Sequence, residues 1–289
     1  MSPAPNLQGG RHEPTAGFDW AAATLPETWP DRLRPWLPWE MAQLAWSFVR
    51  KRRPVQLPAD LPGAATLPKY LLQEFHNLPN GNYSHNITHD YVRQFERVML
   101  GCLTGARAHM ASHLLPATDL LDVGSGGGST GAQLLAAGAG AVTGVEPSPY
   151  LLRHAARRHP RIRFVQGLAE HLPFEAASFD AVAVCFVLHE LPPSFMRRAL
   201  REFHRVLRRG GRLAICEPGP TQWRRGAFDL WRRHGWRGVY FRLLAKRAHE
   251  PFVGAWHDLD PVAELQAAGF TAVRDEEQFP TRHLQASVG

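Results

Sequence analysis

Leu120-Leu121-Asp122-Val123-Gly124-Ser125-Gly126-Gly127-Gly128 decides how the middle of this chain folds. An apolar pair leads into an acidic residue, and glycines recur at 124, 126 and 128. The pattern reads as a buried strand that ends in a glycine-rich turn and opens a helix. There, backbone N–H groups come hard against a ligand that side chains would hold off. Further on, Thr143-Gly144-Val145-Glu146 reads as the end of a second strand with a carboxylate at its tip, placed to accept both hydroxyls of a ribose. Together the two segments predict a nucleoside-containing cofactor at the carboxyl ends of parallel strands.

Outward from this turn, apolar runs alternate with amphipathic stretches. Strands are expected at 119–123, 141–145, 162–165, 180–186 and 212–217, and helices at 129–137, 148–158 and 194–208. That alternation predicts an α/β fold, a Rossmann-like, doubly wound and mostly parallel sheet with helices on both faces. Ala181 to Leu188 is apolar on both faces, as a central strand should be. A helix over Pro261–Ala268, capped by Gly269, and a late strand over Phe270–Val273 follow.

Upstream, residues 1–17 read as a disordered Pro- and Gly-rich tail, and 18–115 as a helical cap. The cap is expected to hold a short helix ending before Pro54, another over Lys69–His76, and a tight turn at Asn80-Gly81. One long helix should then run from about Thr88 to Leu115. Trp20, Trp29, Trp36, Trp39 and Trp46 are read as core anchors of this cap. The α/β domain spans 116–289, with an insertion at about 218–258 that carries Trp223, Trp231, Trp236 and Trp256.

Net charge is +7, with lysine only at 51, 69 and 246. So arginine-rich a balance reads as solvated helix faces, not as a strong nucleic-acid signal. Cys102, Cys185 and Cys216 show no CxxC spacing and are read as reduced thiols. His85 and His89 are four apart but lack a third ligand, so no metal is expected. The N-terminus lacks the apolar core of a signal peptide, and no run approaches the roughly 20 apolar residues that span a bilayer. A cytoplasmic protein is the expectation.

Two cofactor classes compete for the turn. Gly126-x-Gly128-x-x-Gly131 satisfies the dinucleotide motif GxGxxG, with Glu146 as its ribose acid. The register Asp122-x-Gly124-x-Gly126-x-Gly128 fits the strand end better, and no lysine follows a tyrosine at the Tyr-x-x-x-Lys spacing of a dehydrogenase. Ser178-Phe179-Asp180-Ala181-Val182, then Arg205-Val206-Leu207-Arg208-Arg209-Gly210-Gly211-Arg212-Leu213, then Leu265-Gln266-Ala267-Ala268-Gly269-Phe270 occur in order. This ensemble, over roughly 115–289, resembles the class I S-adenosylmethionine-dependent methyltransferases, especially the branch acting on small molecules and quinones.

The resemblance implies S-adenosyl-L-methionine as cofactor. Asp122, Gly124, Ser125 and Gly126 would hold its methionine end, Glu146 its ribose, and Pro147 and Ser148 would flank the adenine. Phe186 and Val187 would line the methyl-donor channel. Where the family often has Gly-Asp-Ala-Glu after the third strand, this chain has Gly167-Leu168-Ala169-Glu170. Leu168 cannot accept a hydrogen bond from the adenine amino group, so the backbone, Gln166 or Glu170 would replace it. Tyr83, in the turn segment before the α/β domain, would reach the methionine end.

Methyl transfer is an in-line displacement that needs the nucleophile at about 3 Å from the methyl carbon and water excluded. A base is needed only for a nucleophile that carries a proton. His189-Glu190, just past the fourth strand, are the candidate catalytic pair, with His189 expected near its ordinary pKa. The expected substrate is a small organic molecule, aromatic or anionic, the latter through Arg224, Arg225, Arg232 and Arg233. The alternatives are an RNA or protein methyltransferase and a non-catalytic cofactor-binding protein. Against the first stands apolar Cys185-Phe186-Val187-Leu188 in place of an Asn-Pro-Pro-Tyr-type tetrad; the second is suggested by Leu168.

Overall fold

The computed structural model describes residues 17–289, so the tail expected over 1–17 lies, but for Gly17, outside the described residues. The described residues form a seven-stranded sheet in the order β3-β2-β1-β4-β5-β7-β6. Its strands are β1 (Asp119–Val123), β2 (Ala141–Glu146), β3 (Arg163–Gln166), β4 (Phe179–Cys185), β5 (Leu207–Pro218), β6 (Thr271–Gln278) and β7 (Thr281–Ser287). The first five are parallel; β7 enters antiparallel between β5 and β6. The Rossmann-like expectation holds. The hairpin partner β7 was not foreseen, and β6 runs well past the expected strand at 270–273. Its Arg274-Asp275-Glu276-Glu277 stretch is almost wholly exposed and hides the strand from an apolar pattern. Those charges also guard an open sheet edge against pairing with another chain.

Strand order reverses between β1 and β4, each paired to the other from Leu120–Ala181 to Val123–Val184. Such a reversal opens a crevice at the carboxyl ends of the strands, where ligands bind. Leu120, Leu121, Val123, Ala181, Val182, Ala183 and Val184 are fully buried, so both faces of the central strands are covered. One layer holds α4 (Ser129–Ala136) and α5 (Pro149–Arg158). Helix α6 (Pro193–Val206) covers the other, with Met196, Ala199, Leu200, Phe203 and Val206 turned inward.

The upstream region departs from its expected helices in three ways. The long helix is two, α2 (His85–Val98) and α3 (Cys102–Leu114), because Leu100 and Gly101 take φ of 50° and 72°. Left-handed backbone cannot continue a right-handed helix. Helix α3 contacts β4, β5 and β7, so it belongs to the layer beneath the sheet. Lys69–His76 is no helix but two 3₁₀ turns, Lys69–Leu71 and Phe75–Asn77. The chain must turn there because Glu74, 1% exposed, is a hub. Its carboxylate pairs with Arg50 at 2.8 Å and accepts the backbone N–H groups of Arg53 and Asn80 at 3.1 Å.

The tryptophans are the third departure. Trp20 is buried, but Trp36, Trp39 and Trp46 are 65–73% exposed and anchor no core. They flank or sit on α1 (Pro38–Val49), a surface helix whose one buried residue is Ser47. The insertion forms α7 (Pro220–Arg224), α8 (Ala227–Arg247) and α9 (Val253–Asp258). Trp256 is buried, whereas Trp231 and Trp236 face out. The insertion closes over the crevice through hydrogen bonds with the cap: His76 N–H to His249 O at 3.0 Å, Asn77 Nδ2 to Arg247 O at 2.9 Å and Tyr240 OH to Val98 O at 2.7 Å.

Removing one partner of a buried ion pair strands the other, at about 3–5 kcal/mol. Glu74→Ala is therefore expected to lower the unfolding free energy by about 3 kcal/mol, as an isolated buried charge does, whereas Glu40→Ala, whose partner Arg34 is exposed, stays within about 1 kcal/mol of the parent chain. Urea unfolding of both variants checks the contrast.

Candidate functional site

The turn after β1 is built from residues that tolerate no side chain. Gly124, Gly126 and Gly128 have φ of 63°, 52° and 81°. A Cβ on Gly124 would lie 2.4 Å from Val187, and one on Gly127 would lie 2.3 Å from Val92 of α2. At Gly126 the nearest protein atom to such a Cβ is Gly124 O at 4.0 Å, so its missing side chain leaves open space beside the backbone. Ser125 ties the turn to β2, its N–H donating to Val145 O at 3.0 Å, while its buried hydroxyl has no protein partner. Asp122 lies beneath. It is 1% exposed, accepts the Gly131 N–H at 2.8 Å and does not line the cavity. The strand-end acid thus supports the opening of α4, a different position from the ligand contact the resemblance implies.

Glu146 ends β2 on the cavity wall. One carboxylate oxygen accepts Gly126 N–H and the other Ser148 N–H, both at 3.0 Å. Burial pushes its pKa up to about 7 despite those two donors. Each oxygen keeps a second lone pair for a hydroxyl. The Asn80-Gly81 turn holds Tyr83 and Asn82 beside it. Asn80 Nδ2 and Thr28 Oγ1 both donate to Tyr83 O, at 2.8 Å, and Ser148 Oγ donates to Asn82 O at 2.6 Å. Burial, then the Glu146 charge, raises the Tyr83 pKa, so the phenol stays protonated. Pro147, Ser148, Gly167, Leu168 and Ala169 complete this end. Of the replacements considered for the missing aspartate, Glu170 takes the Tyr70 hydroxyl on both oxygens at 2.9 Å, and Gln166 donates to Pro62 O and Pro147 O. Leu168 and Ala169 line the cavity, and Glu170 and Gln166 do not.

From this end the cavity, about 710 Å³, runs past Phe186 to a second polar group. Phe186 has φ of 60°, sparsely populated for a bulky residue, and is pinned by its N–H to Cys216 O at 2.8 Å. Ile87, Phe95 and Met99 of the cap and Phe241 and Leu244 of α8 make the middle apolar. At the far wall stand His76, Glu190 and Glu250. His76 Nε2 lies 3.2 Å from Glu190 and 3.4 Å from Glu250, and its ring stacks on Tyr91. Burial works against a charged His76, but the two carboxylates outweigh it and raise its pKa to about 10.

His189 is not where its sequence position suggests. It is fully buried behind that wall, and Nδ1 lies 2.5 Å from Glu217 Oε2. Burial alone would lower its pKa, yet Glu217 and Glu250 hold it at about 9, well above the ordinary value expected of a base. Glu217 also accepts the N–H groups of Val187 and Leu188, at 2.9 and 2.8 Å, so it shapes the loop after β4. Glu217 and Glu250 were missed in the sequence. The signal for Glu217 was available: Glu217-Pro218 ends β5 as Glu146-Pro147 ends β2. Glu250 lies in the insertion and carries no such pattern. His85 and His89 do not form a pair; His85 contacts Leu25 O and Arg153, and His89 contacts Asp90. Cys102, Cys185 and Cys216 are free thiols, Cys216 being buried and the other two partly so.

With this geometry in view, residues 121–215 match a methyltransferase domain family. The chain is 38% identical over 167 residues to an uncharacterized methyltransferase, sll0829, of Synechocystis, covering 55% of this chain and 69% of that one. It is 36% identical over 99 residues to a demethylmenaquinone methyltransferase of Chlorobaculum tepidum, covering 34% of this chain but only 40% of that enzyme. Its fold is similar to that of human N-acetylserotonin methyltransferase in complex with SAM, with a TM-score of 0.54 at 17% identity, over 71% of this chain and 57% of that one. No helix among the described residues is long and apolar enough to cross a membrane. The motif order, the sheet order and these relatives agree: the chain belongs to the class I S-adenosylmethionine-dependent methyltransferases.

Proposed function

We propose that this enzyme binds S-adenosyl-L-methionine against the glycine turn and Glu146, and methylates a small, mostly apolar ring-bearing molecule held between Phe186 and the His76–Glu190 wall. The observation that carries the reading is the single cavity that joins a ribose-type carboxylate to a second polar group across an apolar middle. When bound, the cofactor supplies a methyl group on a sulfonium, the C–S bond breaking as the bond to the acceptor forms. The chain's own residues bind, orient and exclude water. Glu146 accepts the ribose hydroxyls; the open space at Gly126 and the free hydroxyl of Ser125 receive the methionine end; Pro147, Leu168 and Ala169 pack the adenine. Tyr83, protonated and fixed by Asn80 and Thr28, offers a donor beside them. The cap and α8 close over the acceptor, which favours a molecule over an RNA or protein chain. The name of the Chlorobaculum relative favours a quinone-type ring. Glu190, on the wall 3.2 Å from His76, is the group positioned to take a proton from a hydroxyl acceptor.

Isothermal titration calorimetry tests the cofactor half. A hydrogen bond to a charged group contributes about 1.5–3 kcal/mol, so Glu146→Ala is expected to weaken cofactor binding about ten- to hundredfold. Unchanged affinity removes Glu146 from the ribose. A second expectation concerns pH. A carboxylate accepts both hydroxyls only when ionised, and the Glu146 pKa lies at about 7. Affinity should therefore fall as pH is lowered through 7, approaching about tenfold per unit below it. The same titration on Glu146→Ala should be flat over that range. The acceptor is tested with methyl-labelled cofactor and a panel of ring hydroxyl and quinol compounds; labelling confined to RNA or protein would overturn the small-molecule reading.

A further inference from the structure

The far wall of the cavity holds more than a proton acceptor needs. Ligating atoms of His76, His189 and Glu250 all lie within 4.8 Å of one another. The three residues come from the cap, the loop after β4 and the insertion, so no local hydrogen-bonding motif accounts for their meeting. The separations are 3.4 Å for His76 Nε2 to Glu250 Oε1 and 3.8 Å for His189 Nε2 to the same oxygen. Two ligands at about 2.1 Å from one ion, subtending a tetrahedral or octahedral angle, stand about 3.0–3.4 Å apart. The His76–Glu250 separation falls within that range, the His189–Glu250 separation exceeds it by about 0.4 Å, and all three atoms stay within 4.8 Å.

His189 supplies the independent observation. Its side chain is fully buried, and Nε2 has no hydrogen-bond partner. Leaving a buried polar atom unpaired is costly, and such atoms call for an explanation. Nδ1 is engaged by Glu217, itself fully buried and fixed by the Val187 and Leu188 N–H groups. A carboxylate on one ring nitrogen with the other aimed into a cluster of donors is the arrangement that orients a metal-ligating histidine. Charge points the same way. Three carboxylates, Glu190, Glu217 and Glu250, converge on two imidazoles in a poorly solvated spot. His189 closes the back, while His76, Glu190 and Glu250 keep 13–22% of their side chains exposed toward the cavity. That leaves a coordination position open on the substrate side.

We propose that His76 Nε2, His189 Nε2 and a Glu250 carboxylate oxygen bind a divalent transition cation of the zinc, cobalt or iron type, with Glu217 as the carboxylate that orients His189. Two imidazoles and one carboxylate suit such ions and do not suit magnesium or calcium, which take oxygen ligands. Held there, such an ion would polarise a hydroxyl oxygen of the acceptor, with Glu190, 3.2 Å from His76, placed to accept its proton. Cation binding stands apart from the methyl-transfer reading; only the role given to the substrate oxygen rests on it.

Cobalt(II) provides the probe. The full-length protein, stripped with a chelator, is titrated with Co²⁺ while its visible ligand-field bands are followed. Calorimetric titration of S-adenosyl-L-methionine is run on the same preparation. The expected result is one equivalent of cobalt with ordered-site bands. His76→Ala and Glu250→Gln, both on the cavity wall, should each weaken binding at least tenfold. Glu217→Gln, which keeps the shape of the side chain, should weaken it ten- to a hundredfold, as loss of an orienting partner does. Circular dichroism confirms folding of each variant. Absence of the bands, or bands unchanged in folded His76→Ala and Glu250→Gln, overturns the site. Cofactor binding without cobalt bands sinks the cation alone; cobalt bands without cofactor binding sink the proposed function alone.

Discussion

The close approach of two valine side chains to the backbone of the glycine turn constrains everything around it. Val187 after β4 leans on Gly124, and Val92 of α2 leans on Gly127, each where a methyl group would overlap by more than an ångström. The turn therefore fixes the central strand pair, the loop that carries His189 and Glu190, and the cap helix at once. Gly126 is the exception that gives the constraint its use. It needs a left-handed backbone like its neighbours, yet no protein atom fills the space beside it. The turn is packed on two sides and open on the third, and the open side is the cavity.

What the sequence made legible follows from where packing or local chemistry sets the pattern. Strands buried on both faces show as uninterrupted apolar runs, which is why 119–123 was placed to the residue and β4 within one. Glycines that need positive φ betray a turn, and the acid expected at the tip of β2 lies on the cavity wall. Signals fail where residues are held by distant partners. Lys69–His76 has helix-forming residues but bends because Glu74 must reach Arg50 and Asn80. Leu100 gives no warning of its positive φ; the adjacent Gly101 was the hint, overridden by the regular spacing of Tyr91, Phe95, Val98 and Met99. The tryptophans misled for the opposite reason. Large apolar residues are normally inside, and the informative case is the exposed one, which only coordinates disclose.

At the site, the sequence found the groups that lie on consecutive strand ends and missed those that converge from separate elements. Tyr83, Gly124, Ser125, Gly126, Glu146, Pro147, Ser148, Leu168, Ala169, Phe186 and Glu190 all line the cavity. Asp122 and His189 do not, and both are displaced for the same physical reason. Each sits one layer deeper than its motif suggests, where a buried charged group must be paired to remain. Asp122 takes a helix N–H, and His189 takes Glu217. Their roles become those of supports, and the surface they support is made by neighbours with less obvious chemistry, Ser125 on one side and His76 and Glu250 on the other.

The two ends of the cavity carry opposite electrostatic problems, and the fold solves them differently. At the β2 end a lone carboxylate, Glu146, is held by two backbone N–H groups, which stabilise its charge without a countercharge and leave it free to accept hydroxyls. At the far wall, Glu190 and Glu250 lean on His76, and Glu217 on His189. Backbone donors hold that carboxylate in one place, and it loses its charge only as pH falls through about 7. Histidines can give up a proton or take a ligand in its place, so the second end offers a different chemistry. Between them the lining is largely apolar. Glu146 stands at a strand end of the parallel sheet, and the histidine–carboxylate group stands where cap, loop and insertion meet. Residues 121–215, the stretch matched by the methyltransferase domain family, hold the glycine turn and Glu146, whereas His76 and Glu250 lie outside it.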